Sequence, residues 1–511
     1  MTTARRWRAA RIAATALICL AWSALHATQP AAARPGPVAA PQPAAESATT
    51  AARDPLSSRV HLFYYPWYGN PATYGSYRHW QQGEHNPPDD LGANLYPLLG
   101  AYDSGDLAGA VRQHMAWIRQ SGAGVIVYSW WGQGSYEDQL AAGVLAEASR
   151  EGIKVAWHLE PYQGRTAEST VADINYINSR YGASPAFFRD PEHGNRAAFY
   201  VFESLRITDW SALDQVSAGN IVLTQTTDTS KAAHFGGMYT YDGIAGATAP
   251  GWAGAGAYCK ANGLVWAPSV APGYLDDRAV PGNTTPTVDR AGGAAYDRQW
   301  NNALDPAIGG DPTWVSVTSF NEWHEGSVIE PASSTPPAGF GYQTFEGAYG
   351  RTGAAAETAY LDRTAYWVDR FTGANLAEDR PVSASSQARG HRAARANDGN
   401  PATYWESGNR RFPQWLQVDL GADTPVGRIV LKLPPARARG ARTQTIAVLG
   451  SADGRTFQPL LPATGYTFHP ANGNTVTVPV PAANARHLRL SFTDSTGWPA
   501  ARLAEFEVYP A

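Results

Sequence analysis

The chain has 511 residues, too many for one ordinary domain, and its formal net charge of −4 argues against a nucleic-acid partner. Aromatic residues make up 11% of the sequence, with 18 Trp and 25 Tyr. Such an excess is as consistent with a large aromatic core as with a surface whose flat rings stack on sugars.

Residues 1–33 have the layout of a secretory signal peptide. An arginine-rich head precedes an apolar run over 12–25, and small residues follow that run. The run is too short for a membrane span, so we expect a secreted chain with no membrane span after cleavage. Residues 34–54 are rich in Ala and Pro and predict a disordered linker. Cys259 is the one cysteine left in the exported chain, which excludes an internal disulfide.

Residues 55–373 alternate between short apolar runs and helical patterns. The expected strands cover 59–65, 123–130, 153–159, 197–202, 220–225, 236–241, 263–269 and 313–320. Helical patterns cover 106–120 and 136–152, and a third over 357–371 follows the last strand. Eight buried strands with intervening helices predict a (β/α)8 TIM barrel. A doubly wound open sheet is the alternative, although no Gly-rich phosphate loop follows the first strand.

Residues 374–511 change character. Short alternating runs such as WLQVDLG, GRIVLKL and AEFEVY are separated by turn signals, and helical periodicity is lacking. This segment predicts an all-β sandwich.

Three glutamates crowd the stretch SFNEWHEGSVIEP, which follows the eighth predicted strand. In a barrel of this kind the active site lies where the strands end. If the chain turns at Asn321, Glu322 and Glu325 come to one side with their Cβ atoms about 5–6 Å apart. That spacing suits a retaining pair of carboxyls acting on one sugar, and their mutual repulsion separates their pKa values.

Other interpretations of this stretch stay open. His324, Glu325 and Glu330 could hold a metal, although their spacing matches no zinc motif. The loop could also be solvated and without a role. Glu330 precedes a proline, so it could bind substrate or brace the loop.

Aromatic and acidic side chains follow the other predicted strands. Glu160 is as suited to a salt bridge with Arg165 as to a sugar contact. Trp130 and Trp131 are consecutive, so we expect one to face the barrel axis and the other to pack against a helix.

Several motifs resemble those of glycoside hydrolase family 99, the endo-α-mannosidases and endo-α-1,2-mannanases. They are HLFYYPWYGNP with YRHW, GVIVYSWW, WHLEPYQGR, GGMYTY, PSVAPGY and SFNEWHEGSVIEPA. The resemblance implies a retaining (β/α)8 enzyme that needs no metal or other cofactor for catalysis. It implies that Glu322 is a base acting on the sugar's 2-hydroxyl, which attacks the anomeric carbon to give a 1,2-anhydro sugar. Glu325 would then be the acid for the leaving oxygen.

The same resemblance implies a substrate-binding set. Its members are Tyr65, His79, Trp131, Glu160, Tyr241 and Glu330. Trp131 stands where a Trp favours a mannan-type substrate over glucosylated mannose. The loops after GGMYTY and PSVAPGY depart from the family pattern, and these loops shape the cleft.

The C-terminal segment resembles the coagulation factor V/VIII type C, or discoidin, domain and carbohydrate-binding module family 32. The motifs are NLA…SSQ, ANDGNPATYWES, WLQVDLG and AEFEVY. The resemblance implies a structural calcium ion held by Asp398, Asn400, Thr403 and Glu505, whose oxygen ligands suit that ion. The alternative is a turn motif without a metal.

Three hypotheses follow. The first is a secreted, monomeric, endo-acting α-mannan hydrolase with an appended glycan-binding module. The second is the same barrel acting on another α-linked glycan, such as an α-1,3-glucan. The third is a non-catalytic glycan-binding surface protein.

Overall fold

The structure is a computed structural model that describes residues 56–241, 249–373, 375–409, 411–434, 440–470 and 474–510. The predicted signal peptide at 1–33 and linker at 34–54 lie outside the described residues. Within the described residues, no helix is long and apolar enough to cross a membrane.

The first domain is a closed parallel barrel. Its strands are β1 (Ser57–Tyr64), β2 (Ala123–Trp130), β3 (Lys154–Leu159), β4 (Arg189–Asp190), β5 (Arg196–Val201), β6 (Asn220–Gln225), β7 (Gly237–Tyr239), β8 (Val265–Ala267), β9 (Ser269–Val270) and β10 (Val315–Val317). The order is β8-β7-β6-β5-β3-β2-β1-β10-β9, with β4 antiparallel to β5 at the edge. Because Pro268 alone separates β8 from β9, the two form one interrupted strand that closes the barrel and replaces the predicted run 263–269.

The barrel strands are buried on both faces. All eight residues of β2 are buried, as is typical of a parallel strand covered by helices outside and by side chains inside. The register places Leu62 beside Ile126 and Val60 beside Val315, so β1 lies between β2 and β10. Trp130 packs outward, donating its indole N–H to Asp138 Oδ1 at 2.9 Å.

Helices surround much of the barrel. They are α1 (Arg112–Ser121), α2 (Tyr136–Arg150), α3 (Ala167–Tyr181), α4 (Trp252–Asn262), α5 (Ala294–Leu304), α6 (Pro306–Gly309), α7 (Ala354–Glu357) and α8 (Ala359–Thr372). Side-chain caps fix two of the starts: Ser135 accepts from Asp138 N before α2, and Thr166 forms a capping box with Ser169 before α3.

Two connections differ from the expected alternation of strands and helices. In the described stretches between β5 and β6 and between β6 and β7, only 3-10 turns occur, such as Ser211–Gln215 and Thr229–Lys231. These connections are short and rich in Ser, Thr and Asp, which compete for main-chain hydrogen bonds and favour turns.

The second domain is an antiparallel β-sandwich. Its strands are β11 (Val382–Ala384), β12 (Trp405–Glu406), β13 (Gln414–Lys432), β14 (Arg442–Ser451), β15 (Gln458–Phe468), β16 (Thr475–Ser495), β17 (Arg502–Leu503) and β18 (Glu505–Pro510). One sheet has the order β11-β13-β16-β14-β15 with β18 also on β13, and β12 pairs with β17. Buried residues of this domain form a hydrophobic core separate from that of the barrel.

Candidate active site

The loop after β10 folds back on itself at the carboxyl end of the barrel. Ser319 N donates to Ser327 O at 2.7 Å, and Ile329 N donates to Ser319 O at 3.0 Å, which closes the neck of the loop. Between them the chain turns, with Gly326 N donating to Trp323 O and Gly326 at φ 57°. The turn predicted at Asn321 is therefore present, and it carries both Glu322 and Glu325.

Glu322 and Glu325 occupy unequal environments. Glu322 is 3% exposed and accepts the main-chain N–H of His324 at 3.1 Å, whereas Glu325 is half-buried. Burial, followed by the negative charge of Glu325, raises the pKa of Glu322 well above its usual value. Glu322 thus binds a proton more tightly than an exposed carboxyl does. A pair of carboxyls with unequal surroundings suits acid–base work on one substrate.

Asn321 and Tyr68 fix this loop to the end of β1. Asn321 accepts from Tyr65 N at 2.8 Å and donates to Tyr65 O at 2.9 Å. The Tyr68 hydroxyl donates to Asn321 O and accepts from Trp323 N. Neither residue was among the predicted site residues, although Asn321 was the predicted position of the turn and Tyr68 follows the first predicted strand. Their partners lie about 250 positions away in the sequence, so spacing could not have shown the contacts.

Tyr65 and Tyr241 meet above the barrel interior. Their hydroxyls form a short hydrogen bond, and burial raises the pKa of each well above its usual value. Negative charge from Glu160 and Glu322 adds to the rise in the pKa of Tyr65. Both phenols therefore keep their protons at neutral pH, and the one that accepts in this shared bond has its own proton free to donate to a ligand oxygen. The structure brings these two predicted residues together.

An aromatic group lines the rim next to them. Trp67 lies edge-on to His79 at 5.0 Å and 6.3 Å from Trp131, measured between ring centroids. Trp131 is partly exposed, as expected for the member of the Trp pair that faces the cleft. His79 is also 4.3 Å from the His324 ring, and burial lowers the pKa of both imidazoles, to about 3 for His324. Both are neutral at physiological pH. Trp67 was not among the predicted site residues.

Glu160 is held by neighbours in the barrel. Its Oε1 accepts from Ser129 Oγ at 2.7 Å and lies 3.0 Å from His158 Nδ1. Ser129 Oγ in turn accepts from the Trp67 indole at 3.0 Å, which links Glu160 to the aromatic rim. Arg165, the alternative partner, donates to the carbonyl oxygens of Leu159 and Phe202.

Glu330 lies inside the protein and not in the cleft. It is 0% exposed, and its Oε2 accepts from Tyr102 Oη at 2.9 Å and from the Trp323 indole at 3.0 Å. His114 Nε2 lies 3.2 Å from the other oxygen. This position differs from the substrate-binding position expected for it, because every oxygen faces an internal partner. Of the two roles considered, bracing the loop is the one that the contacts fit.

The other flank of the loop rests on the segment after β9. Leu275 N donates to Glu325 O at 2.8 Å. Arg290 Nη2 donates to the carbonyl oxygens of Gly326 and Val328 at 2.8 and 2.7 Å. These contacts hold the main chain on both sides of Glu325, and sequence reasoning missed Arg290 because it lies in a loop without a recognised motif.

The residues expected to bind calcium lie together in the sandwich. Thr403 Oγ1 donates to both oxygens of Asp398, and Asn400 N donates to Asp398 Oδ1 at 3.1 Å. Glu505 is 2% exposed, and burial followed by the charge of Asp398 raises its pKa to about 7. Two neighbouring carboxyls among oxygen donors fit a calcium ion, whose charge would relieve their repulsion. No cluster of three or more His, Cys, Asp or Glu side chains suited to a metal occurs among the described residues.

Comparisons with known proteins agree with this architecture. The family model "Glycosyl hydrolase family 99" matches residues 55–373, and "F5/8 type C domain" matches residues 381–506. Mouse glycoprotein endo-α-1,2-mannosidase is 32% identical over 362 residues, covering 62% of this chain and 76% of that protein. A human glycoprotein endo-α-1,2-mannosidase-like protein is 35% identical, covering 54% of this chain and 69% of its own length.

A solved structure also matches the barrel. The GH99 endo-α-mannosidase from Bacteroides thetaiotaomicron is 32% identical, with a TM-score of 0.54, and the match covers 62% of this chain and 98% of that one. The two resemblances seen in the sequence and the predicted fold are thereby confirmed. The chain belongs to glycosyl hydrolase family 99, and is a glycoside hydrolase whose barrel is followed by an F5/8 type C domain.

Proposed function

We propose that this chain is a secreted, monomeric, endo-acting hydrolase of α-mannosidic linkages, chiefly the α-1,2 linkages of mannan-type glycans. The observation that supports this most directly is the turn after β10, which carries Glu322 and Glu325 in unequal environments on the rim of the barrel. The similarity to the mouse glycoprotein endo-α-1,2-mannosidase supports the choice of linkage.

The two carboxyls divide the work. The Glu322 carboxylate takes the proton from the 2-hydroxyl, O2 attacks the anomeric carbon, and the bond to the leaving oxygen breaks as Glu325 protonates that oxygen. The intermediate is a 1,2-anhydro sugar. Glu325, now ionised, takes a proton from water, and the water oxygen attacks the anomeric carbon. The bond from that carbon to O2 breaks as Glu322 returns its proton to O2. Two displacements give net retention.

The raised pKa of Glu322 is consistent with its role as the base. A carboxylate with a high proton affinity is a stronger base once ionised, and a hydroxyl is a poor proton donor to an ordinary carboxylate. Glu325 is half-buried, so a leaving oxygen and later a water molecule can reach it.

The surrounding residues bind and orient the sugar. Tyr65 and Tyr241 donate hydrogen bonds, Trp131 and His79 present flat faces, and Glu160 accepts from a sugar hydroxyl. Glu330 acts indirectly, because it accepts a hydrogen bond from the indole of Trp323. Trp323 stands between the two catalytic glutamates in the sequence. None of these steps uses a metal ion.

The C-terminal domain would bind glycan and keep the barrel close to its substrate. Asp398, Asn400, Thr403 and Glu505 would hold a structural calcium ion that fixes the loop between the 3-10 turn at Ala393–Ala396 and β12. Calcium supplies charge compensation there and takes no part in the reaction.

Substitution of each glutamate tests the proposal. We expect Glu322→Gln and Glu325→Gln each to lower kcat on an α-1,2-linked mannan oligosaccharide by about 10²–10⁴-fold or more, because each removes a proton-transfer group. Glu325→Gln should regain kcat/KM on the matching α-mannosyl fluoride, whose leaving group departs without a proton, while kcat stays low because the attack of water on the anhydro sugar still needs Glu325. Glu192→Gln, on an exposed 3-10 turn, is the control. Full activity of Glu325→Gln on the oligosaccharide, or faster cleavage of α-1,3-glucan by the wild type, would contradict the proposal.

A further inference from the structure

Glu160 has two carboxyl oxygens, and the barrel occupies only one of them. Oε1 accepts from Ser129 Oγ at 2.7 Å and lies 3.0 Å from His158 Nδ1. Among the residues that the structure describes, no donor reaches the other oxygen, Oε2. Glu160 is only 3% exposed. Because an enclosed carboxyl oxygen without a donor is costly, Oε2 is the oxygen that a ligand hydroxyl would satisfy.

Strand geometry brings the residues around Oε1 together. Ser129 and His158 face each other in register across β2 and β3, and Glu160 follows β3 directly. His158 and Glu160 are two positions apart, so their side chains point to the same side of the sheet. Ser129 and His158 are both fully enclosed, at 0% and 1% exposure. The surroundings of Oε1 therefore belong to the rigid barrel and not to a loop.

His158 is also held on its other side. Its Nε2 lies 3.2 Å from the hydroxyl of Tyr239, and burial raises the pKa of that hydroxyl well above its usual value, so it keeps its proton. A carboxylate oxygen can only accept, so the ring proton of His158 belongs on Nδ1, and Nε2 accepts from Tyr239. The ring of Tyr241 lies over the imidazole, with 5.5 Å between centroids and 26° between planes. His158 therefore supports two residues of the sugar-binding set, Glu160 and Tyr241.

Trp67 links this group to the rim of the barrel. Its indole donates to Ser129 Oγ at 3.0 Å, and the Ser129 hydroxyl donates in turn to Glu160. The Trp67 ring is half-buried, 4.6 Å from the ring of Tyr65 and 6.3 Å from that of Trp131, between centroids. One chain of donors thus runs from an aromatic ring on the rim to the carboxylate.

The charge of Glu160 reaches the groups that face the reacting sugar. Burial and the charge of Glu325 raise the pKa of Glu322, and the charge of Glu160 adds to that rise. After burial, the charge of Glu160 is also the next cause of the raised pKa of Tyr65. Glu160 therefore shares one space with the proposed base and with a sugar-binding phenol.

We propose that Ser129, His158 and Trp67 are positioning residues that occupy Oε1 of Glu160, so that Oε2 alone is presented to the reacting sugar. The proposal rests on the proposed function. With Oε1 occupied, the carboxylate has one orientation, and the sugar hydroxyl that donates to Oε2 has one position. The three residues act on the sugar through Glu160, so their effect depends on its presence.

A double-mutant cycle separates this role from a general structural effect. The variants are Ser129→Ala, Glu160→Ala and the two combined, and the measurements are kcat and KM on an α-1,2-linked mannan oligosaccharide. Ser316→Ala is the matched control, because Ser316 is a fully buried serine of strand β10 whose hydroxyl bonds to Pro268 O and Ser269 Oγ. Thermal unfolding of each variant checks that it folds.

We expect Glu160→Ala to lower kcat/KM by about tenfold or more and Ser129→Ala by about three- to tenfold. The loss should lie chiefly in KM, because the bond to the sugar is present before the reaction as well as during it. In the Glu160→Ala background, Ser129→Ala should cost nothing further, since its partner is gone. Ser316→Ala should leave kcat/KM unchanged in both backgrounds. Equal losses from Ser129→Ala in both backgrounds would overturn the proposal.

Conservative variants test the other two residues. His158→Asn keeps an N–H donor near the position of Nδ1 and should retain most of the activity, whereas His158→Leu should lower kcat/KM about tenfold. Trp67→Phe keeps a ring and loses the N–H, so it should cost about threefold, and nothing in the Glu160→Ala background. Equal losses from His158→Asn and His158→Leu would contradict the positioning role while the proposed function stands. A wild type that cleaves no α-mannan would overturn the proposed function itself.

Discussion

At the scale of single residues, the site depends on the different surroundings of two carboxyls three positions apart. Glu322 is enclosed and accepts from main-chain N–H groups, whereas Glu325 is half-buried. Burial and the neighbouring charge together raise the pKa of Glu322. A base must be ionised to act, so activity is lost as the pH falls through this pKa.

Glu325→Gln should move the acidic limb of the pH profile. It removes the negative charge that is the second cause of the raised pKa of Glu322, so that pKa falls and activity persists to lower pH. The measurement is the pH dependence of kcat/KM on an α-mannosyl fluoride, for the wild type and the variant. An acidic limb that stays in place or moves to higher pH would show that Glu322 is not the base.

Sequence spacing predicted that Glu322 and Glu325 lie in one turn, but it did not predict the residues that hold this turn. Glu322 and Glu325 lie within one motif, so their proximity follows from a local turn. Asn321, Tyr68 and Arg290 act through contacts with main-chain groups that lie far along the chain, and no local pattern reveals such contacts. The burial of Glu330 has the same origin, since its partners Tyr102 and His114 come from a distant segment.

At the scale of elements, the loop after β10 depends on a close approach at Gly326. This glycine has φ 57°, and a Cβ atom there would lie 2.8 Å from Leu275 O. The same Leu275 donates its N–H to Glu325 O. A side chain at position 326 would therefore push away the segment that holds the acid.

Gly326→Ala should lower kcat on the mannan oligosaccharide at least tenfold and lower stability by more than the strain of a positive φ, about 1 kcal/mol. Gly194→Ala is the matched control, because Gly194 has φ 74° and open space around its Cβ position. It should show the strain alone, with activity kept. The measurements are kcat and thermal unfolding. Equal effects of the two substitutions would mean that the contact with Leu275 does not position Glu325.

Strands were more predictable than connections. Continuous apolar runs such as that of β2 can only be buried on both faces, and this fixed the positions of the barrel strands within a few residues. The two connections without α-helices were not predicted, because a barrel needs only that each connection return to the other end of the sheet. Whether a helix forms depends on local composition, which is rich in turn formers there.

At the scale of the whole molecule, the two domains have separate hydrophobic cores, so a change in one can be measured apart from the other. The barrel core fills the space within and around β1 to β10, and the second core lies within the sandwich. Calcium should accordingly affect the sandwich and leave the chemistry of the barrel unchanged.

Calcium removal should destabilise the sandwich in a pH-dependent manner. The folded-state pKa of Glu505, about 7, is above its ordinary value, so its contribution to stability is present at low pH and is lost as the pH rises through 7. With EGTA, the sandwich should unfold at a lower temperature at pH 8 than at pH 6, and calcium should raise the unfolding temperature at pH 8.

Glu505→Gln should remove both effects. Asp423→Asn, at an exposed position of β13, is the control. An unfolding temperature that does not depend on calcium would refute the site. Removal of calcium should leave kcat on a short substrate unchanged.

The stereochemistry of the first product tests the central claim most directly. Hydrolysis of an α-1,2-linked mannan oligosaccharide can be followed by proton NMR before mutarotation mixes the anomers. Cleavage within the chain creates a new reducing end. Two displacements through a 1,2-anhydro sugar predict that this end appears first as the α anomer. A β anomer as the first product would contradict the retaining roles of Glu322 and Glu325.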